Sequence, residues 1–149
     1  MNANEKNNLK LIGKNHEDIK VISAYLQDSI VTTKDMVFLK KNKIFIMITN
    51  RFMWEDIEKG VFRENKRIRC AVKFGEVIKV KSQNINQKKQ NNFLECLAIK
   101  CRLTVDNIYK INIFFSGGGI ITIISESIDV VLDDLGKSWI AKHVPKHKI

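Results

Sequence analysis

The spacing of apolar residues changes after about residue 30, and this change defines the predicted architecture. Between residues 16 and 29 the apolar side chains recur at the spacing of one helix face: Ile19, Ile22, Leu26 and then Ile30. Asn15 is suited to cap this helix, with Asp18 three residues later as a variant of the capping box. The segment therefore predicts an amphipathic helix that packs one face on a sheet.

Beyond Thr32 apolar and polar residues alternate with a period of two residues, which is the pattern of β-strands. Ile44 to Thr49 is apolar on both faces, so we expect a central or helix-covered strand, in a hairpin with Thr32 to Leu39. Further strands are predicted at Arg67 to Phe74 with a continuation at Val77 to Val80, at Leu97 to Val105, at Tyr109 to Phe115 and at Ile120 to Ser125. Gly117, Gly118 and Gly119 predict a hairpin turn between the last two, rather than a phosphate-binding loop.

The segment Ile128 to Leu135 fits both a helix and a strand. Asp133 and Asp134 would oppose the dipole at a helix C-terminus, which favours a strand. The order of one helix followed by about seven strands predicts an α+β fold. An N-terminal amphipathic helix would pack on a mainly antiparallel sheet or half-open barrel. A pleckstrin-homology-like barrel is the alternative, if the C-terminal segment is helical. We expect one domain at residues 9–139, with polar or basic tails at 1–8 and 140–149.

The composition narrows the class of protein. The chain has 149 residues and a formal net charge of +10, which by itself indicates an anionic partner such as nucleic acid. Lysine, asparagine and isoleucine are all abundant, however, and AT-rich codons encode all three, so genome composition alone could produce this balance. No apolar run approaches the roughly 20 residues that span a bilayer, and the N-terminus has no apolar core of a signal peptide. A cytoplasmic protein without membrane contact is expected.

The three cysteines predict free thiols rather than disulfides or a metal site. Their odd number argues against a disulfide framework. Cys96 and Cys101 are five residues apart on one predicted strand, so alternation would place them on opposite faces. On that strand Leu97, Ile99, Cys101, Leu103 and Val105 would form one face, with Lys100 and Arg102 opposite. We therefore expect neither a metal nor a cofactor.

One cluster of polar and aromatic residues is the predicted ligand site, should the protein have one. It comprises Asn50, Arg51, Trp54 and Glu55, together with Arg67 and Arg69. Arg51 is suited to bind a carboxylate or phosphate, Trp54 to stack on a ligand and Glu55 to act as a base. The structural interpretation is favoured instead: Phe52 and Trp54 close the core and Arg51 pairs with Glu55.

Four stretches in series resemble an alphaproteobacterial family of small proteins known as domain of unknown function 2948. The first is Leu9 to Ile12, leading into Glu17–Asp18 and then Ile22 to Asp28. The others are Asn50 to Glu55, Arg67 to Val77, and Phe115 to Gly119 running on to Leu132 to Gly136. The resemblance extends from about Leu9 to Trp139. It implies no activity, because the family has none established. It implies a cytoplasmic protein encoded near enzymes of histidine and cell-wall precursor synthesis.

Three functions remain open at this point. A non-catalytic binding or protein-interaction module is favoured, because no acid, base and nucleophile can be brought together from the sequence. The second is a small enzyme or small-molecule sensor with a pocket near Arg51 and Trp54. The third is a nucleic-acid-binding protein that uses lysines and arginines such as Arg63, Lys66, Lys79, Lys81, Lys88 and Lys89.

Overall fold

The computed structural model describes residues 8–55, 66–88 and 92–140. Within them lie one α-helix, α1 (His16–Leu26), and ten strands. The strands are β1 (Lys10–Gly13), β2 (Ile30–Thr32), β3 (Met36–Leu39), β4 (Ile44–Phe52), β5 (Lys66–Phe74), β6 (Val77–Gln83), β7 (Phe93–Leu103), β8 (Tyr109–Phe115), β9 (Ile120–Ser125) and β10 (Val130–Ile140). The predicted tail residues 1–7 and 141–149, with Arg63 and Lys89, lie outside the described residues.

Every strand pairing is antiparallel, and the strands follow the order β1-β10-β5-β4-β2-β7-β8-β9-β6, with β3 attached to β4. The sheet stays open, with β1 and β6 at its two ends. The predicted class, one helix with a mainly antiparallel sheet, is confirmed. The hairpin of β3 and β4 and the hairpin of β8 and β9 are confirmed as well. β7 pairs with β8, so that β7, β8 and β9 form a meander.

The prediction of about seven strands is wrong, because two alternating stretches are each broken in two and β1 adds a further strand before the helix. A 3-10 turn at Thr33–Asp35 separates β2 from β3, and the Thr32 hydroxyl donates to the Asp35 carboxylate over 2.7 Å. Gly75 and the left-handed Glu76 (φ 55°) separate β5 from β6. The two halves then pair with different partners: β5 with β4 and β10, and β6 with β9. Alternation alone does not reveal where a chain changes partner.

The helix is not the first element, which corrects its predicted N-terminal position. β1 precedes α1 and pairs with the last strand, β10. Gly13, at the end of β1, lies so close to the helix that an added Cβ would stand 2.9 Å from the Ile22 side chain. Because residues 130–140 form a strand, the pleckstrin-homology-like alternative, which required a helix there, is also wrong.

The core lies between α1 and the inner face of the sheet. The helix buries Ile19, Ile22 and Leu26, as its periodicity predicts, and the Asn15 side chain caps it by accepting from the Asp18 N–H over 2.9 Å. The strands contribute alternate residues, including Phe45 and Met47 of β4, Val72 and Phe74 of β5, Ile111 and Ile113 of β8, Ile123 of β9 and Leu132 of β10. Each strand in this set thus has a defined inner and outer face.

A β-bulge between Cys96 and Ala98 changes the predicted face of β7. Ile99 and Cys101 are buried as expected, whereas Leu97, at the bulge, is 46% exposed. Leu103 and Val105 are 53% and 102% exposed for a different reason, because they lie at the end of β7 and in the turn beyond it. The extra residue shifts the alternation by one position, so that Cys96 before the bulge and Ile99 after it both point into the core. Cys96 and Cys101 therefore both face the core, and their predicted placement on opposite faces is wrong.

Candidate functional site

The six predicted site residues do not share one pocket, because the register divides them between both sides of the sheet. Asn50 lies opposite Arg69 in the β4–β5 pairing, and Arg51 lies opposite Ile68. Since side chains alternate along a strand, Arg51 and Ile68 point into the core while Asn50 and Arg69 point away from it. The sheet thus separates the exposed Arg69 from the buried Arg51.

Arg51 is 0% exposed, and all five of its guanidinium N–H groups have acceptors. Nε donates to Asp134 Oδ1 over 2.8 Å, and Nη2 donates to Asp134 Oδ2 over 2.7 Å and to Glu55 Oε2 over 2.8 Å. Nη1 donates to Glu55 Oε1 over 3.0 Å and to the Phe52 carbonyl over 3.5 Å. The Tyr25 ring lies 5.7 Å away. Arg51 therefore has no donor left for a ligand.

Electrostatics keep this guanidinium charged in spite of its burial. Burial acts to lower the pKa of Arg51, but the hydrogen bonds and charges of Asp134 and Glu55 outweigh it and raise the pKa above the ordinary value. Burial also raises the pKa of the nearby Cys70 thiol to about 12, so that this thiol is neutral at pH 7. The predicted pairing of Arg51 with Glu55 is confirmed.

Asp134 connects the arginine to a third part of the chain. Its Oδ2 also accepts from the Leu9 N–H over 2.9 Å, and its own N–H donates to the Leu9 carbonyl over 3.0 Å. Because β10 carries Asp134 and β4 carries Arg51, one buried cluster joins the two strands to the segment that leads into β1. This arrangement is that of a structural ion-pair network.

Trp54 and Glu55 border an open groove of about 210 Å³, which Val21, Ala24 and Tyr25 of α1 complete. The Trp54 indole N–H donates to the Gln27 carbonyl over 2.8 Å, and its ring meets the Phe52 ring edge-on at 4.6 Å. Both oxygens of Glu55 accept from Arg51. A role for Glu55 as a base would require that it leave this pair.

Arg67 is half-buried and also engaged. Its Nη1 donates to the carbonyls of Asp28 and Asn50 over 3.2 and 3.1 Å, and its guanidinium lies 5.7 Å from the Phe52 ring. Burial lowers the pKa of Arg67, against the opposing charges of Asp28 and Glu95. Of the three predicted arginines, Arg69 is the most exposed to solvent. Ligand binding by the six residues stays a prediction.

Sequence reasoning missed two features. One is the role of Asp134, although a carboxylate at an inward position of an alternating strand requires a cation partner. The pair formed by Cys101 and His16, with Sγ 3.3 Å from Nδ1, carries no sequence signal because 85 residues separate its members. Among the described residues no group of three or more His, Cys, Asp and Glu could hold a metal ion, and His143 and His147 lie outside them.

The sheet has an apolar surface opposite the core, which we call the outer face. Ile12, Val131, Lys73, Ile46 and Val37 form one row across β1, β10, β5, β4 and β3. The neighbouring positions are Lys10, Asp133, Ala71 and Ile48 on one side, and Ile44 and Leu39 on the other. Ile12 and Val37, at the two ends of the row, are 57% and 47% exposed. α1 leaves this face uncovered, because its buried residues pack in the core on the other side.

A second surface, which we call the basic face, lies on the outer side of β6 to β9. One row across the strands runs Lys100, Asn112, Thr122, Lys81, and the next runs Arg102, Lys110, Ile124, Lys79. No carboxylate occurs in either row. The five cations make no ion pair within the described residues, whereas Lys14, Lys20 and Lys43 do.

Comparisons with known proteins give a family and no function. The model of a family described as "Protein of unknown function (DUF2948)" matches residues 9–147. No curated protein and no solved structure matches the chain. Within the described residues, no helix has the length and apolar character that crossing a membrane requires.

Proposed function

We propose that this chain, which belongs to the DUF2948 family of proteins of unknown function, is a non-catalytic module that binds another protein on the outer face. The observation that carries the proposal is the row of four apolar side chains and Lys73 that crosses five strands on the side away from the core. The solvated face of an antiparallel sheet is ordinarily polar, so an apolar one calls for a covering surface.

The size of the outer face suits a modest interface. Five strands about 4.8 Å apart make a face about 20 Å wide, and seven residues of β4 extend it about 20 Å along the strands. The resulting area of about 400 Å² lies below the roughly 800 Å² that each partner of a standard stable complex buries. The whole face, with its interspersed charged residues, is comparable in area to the largest apolar patch of a typical monomer, about 300–600 Å², which is often functional. We therefore expect a reversible complex.

The charged residues of the outer face indicate what kind of protein it would bind. Lys10, Lys73 and Arg69 stand among the apolar side chains of the outer face, against the single carboxylate of Asp133. With a net charge of +10, two copies of this chain would repel one another. The occupant that fits is a different protein whose apolar surface carries carboxylates, and Lys73 at the centre of the row would meet one of them.

Site-specific photo-crosslinking in the native cell tests this proposal. A photoreactive amino acid is placed at Ile12, at Val37 or, as a matched control, at Val105, which is apolar and 102% exposed but lies far from the outer face in the β7–β8 turn. We expect the same discrete heterologous adduct from positions 12 and 37, absent from 105 and lost with Lys73→Glu. Adducts equal at all three positions, or adducts only between two copies of the chain, would contradict the proposal.

The basic face supports a second candidate function, the binding of single-stranded nucleic acid. Lys100 Nζ lies 5.8 Å from the half-buried Phe114 ring, so cations and an aromatic side chain share this surface. Such a combination follows a phosphate backbone and stacks bases without sequence preference. The observation that favours it is the absence of carboxylate partners for all five cations within the described residues.

For the alternative of a small enzyme or small-molecule sensor, the one supporting feature among the predicted site residues is the groove beside Trp54. Its predicted anion-binding group, Arg51, already has an acceptor for each N–H, and Glu55 is one of those acceptors. A cytoplasmic location accompanies the leading proposal and rests on the sequence expectation alone.

A further inference from the structure

A thiol and an imidazole meet in a cleft between α1 and β7. Cys101 Sγ of β7 lies 3.3 Å from Nδ1 of His16, the first residue of α1. The cleft has a volume of about 360 Å³ and is also lined by Ile19, Lys20, Ser23 and Lys100. Cys101 is only 7% exposed, but it lines this open cleft, and His16 is exposed.

The local fold explains why the cleft exists. β2 covers one edge of β7 only as far as Glu95, and β8 pairs along the other edge. Beyond the bulge, α1 takes the place of β2, and the Ser23 hydroxyl accepts from the Ile99 N–H over 2.9 Å. A helix beside a strand edge cannot fill the space as a strand would. The gap forms the cleft that the inward-facing Cys101 lines.

We propose that Cys101 and His16 form a thiol modification site that reacts with low-molecular-weight disulfides. The Cys101 sulfur attacks one sulfur of the disulfide while His16 Nδ1 accepts the thiol proton, which requires the Nε2–H tautomer of the imidazole. A new S–S bond forms at Cys101 and the S–S bond of the reagent breaks. The released thiolate takes up the proton from His16, and an excess of small thiol reverses the reaction.

His16 supplies what the position of Cys101 otherwise lacks. Burial raises the pKa of the Cys101 thiol, so alone it would be a slow nucleophile at pH 7. An imidazole at hydrogen-bond distance, at the positive end of a helix, favours the thiolate. The other charged groups nearby are Lys20 and Lys100, which line the cleft, and Glu17 and Asp18 on the same helical turn as His16. Glu17 pairs with Lys20 at 3.4 Å, and Asp18 accepts from the Lys14 N–H.

The other two cysteines provide internal controls. Cys70 and Cys96 are 0% exposed, and burial raises the pKa of each to about 12. They share the chain, its net charge and every solution condition with Cys101. Selective modification of Cys101 would therefore reflect the cleft and His16 rather than a general property of the protein.

The experiment treats the full chain with 2-hydroxyethyl disulfide from pH 6 to pH 10 and follows each cysteine by peptide mass mapping. We expect modification of Cys101 alone, about tenfold faster at pH 7 than in His16→Gln, with the difference shrinking towards pH 10 as hydroxide takes over removal of the thiol proton. His16 is exposed, so this variant should fold, and circular dichroism checks it. Glu17→Gln, a neighbouring exposed change, should alter the rate less than twofold.

Two results would overturn the proposal. One is a pH–rate profile for His16→Gln that coincides with that of the unaltered chain, because His16 would then take no proton. The other is a Cys101 that reacts no faster than Cys70 and Cys96 in the folded protein, because the cleft would then give no access to its sulfur.

Discussion

Asp134 holds Arg51 with both carboxylate oxygens, at 2.8 Å from Nε and 2.7 Å from Nη2, in a core where both side chains are 0% exposed. The two residues are 83 positions apart in sequence, and they fix β10 relative to the end of β4. Glu55 completes the cluster from the segment after β4. A buried arginine of this kind stabilises the fold, because all of its N–H donors bind acceptors within the protein. It has no donor left for a ligand.

We predict that Asp134→Asn destabilises the protein by about 3 kcal/mol, because it breaks one half of a buried charged pair. The free energy of unfolding, measured with urea and tryptophan fluorescence, checks this value. Asp133→Asn is the matched control, since the neighbouring carboxylate is half-exposed on the outer face, and it should change stability by less than about 0.5 kcal/mol. Equal losses in the two variants would contradict the structural role of Asp134.

A second prediction tests the bulge in β7. Ile99→Ala should cost about 3 kcal/mol of stability, because it leaves a cavity in the core, whereas Leu97→Ala should cost less than about 1 kcal/mol. The strict alternation of the sequence assigns both residues to the same buried face, and only the bulge separates them. Denaturant unfolding of the two variants decides between the two arrangements. Similar large losses of stability in both variants would indicate a regular strand without the bulge, in which both side chains are buried.

Local patterns predict the elements of this fold better than their partners. The helix follows from three apolar residues at helical spacing and an asparagine cap, since both signals lie within one short segment. The breaks at Thr33–Asp35 and at Gly75–Glu76 depend on which strand each half pairs with, and this choice is made by residues far away in the sequence. Alternation therefore counts one strand at each of these two places where the fold has two.

The candidate site shows the same limit. The Arg51–Glu55 pair was predictable because four residues separate its members, whereas Asp134 and the His16–Cys101 contact arise from distant strands and the helix. The basic face is a clearer case still. Lys81 and Lys100 lie on strands that do not pair with each other, and only the register through β8 and β9 aligns them. The composition indicates how many cations the chain has, and the strand topology determines which of them share a surface.

A third prediction concerns alkaline pH. Burial raises the pKa of Cys70 and Cys96 to about 12, whereas unfolded thiols ionise near pH 8.5. Between these values the unfolded chain has lost protons that the native protein still holds, so stability falls as pH rises. The contribution is complete below about pH 8.5 and declines by about 1.4 kcal/mol per pH unit for each thiol above it.

Urea unfolding at pH 7.5 and pH 10, under reducing conditions, measures this decline. We expect the Cys70→Ala/Cys96→Ala variant to lose about 4 kcal/mol less than the unaltered chain between the two pH values. The comparison uses the change with pH, so the cavities that the variant creates at every pH cancel. Parallel pH profiles would show that these thiols do not titrate as burial requires.

The last prediction separates the basic face from net charge. If single-stranded nucleic acid binds there, the five cations should give a slope of about −3 to −4 for log K against log salt concentration. Fluorescence anisotropy with a labelled oligothymidylate measures this slope. Lys81→Gln/Lys100→Gln should reduce the magnitude of this slope by about 1.4. Lys14→Gln/Lys43→Gln lowers net charge equally, but these lysines already pair with Asp129 and Glu126, so the slope should hardly change. Equal effects of the two double variants would mean that the oligonucleotide responds to overall charge, and the basic face would then be a solvated surface without a partner.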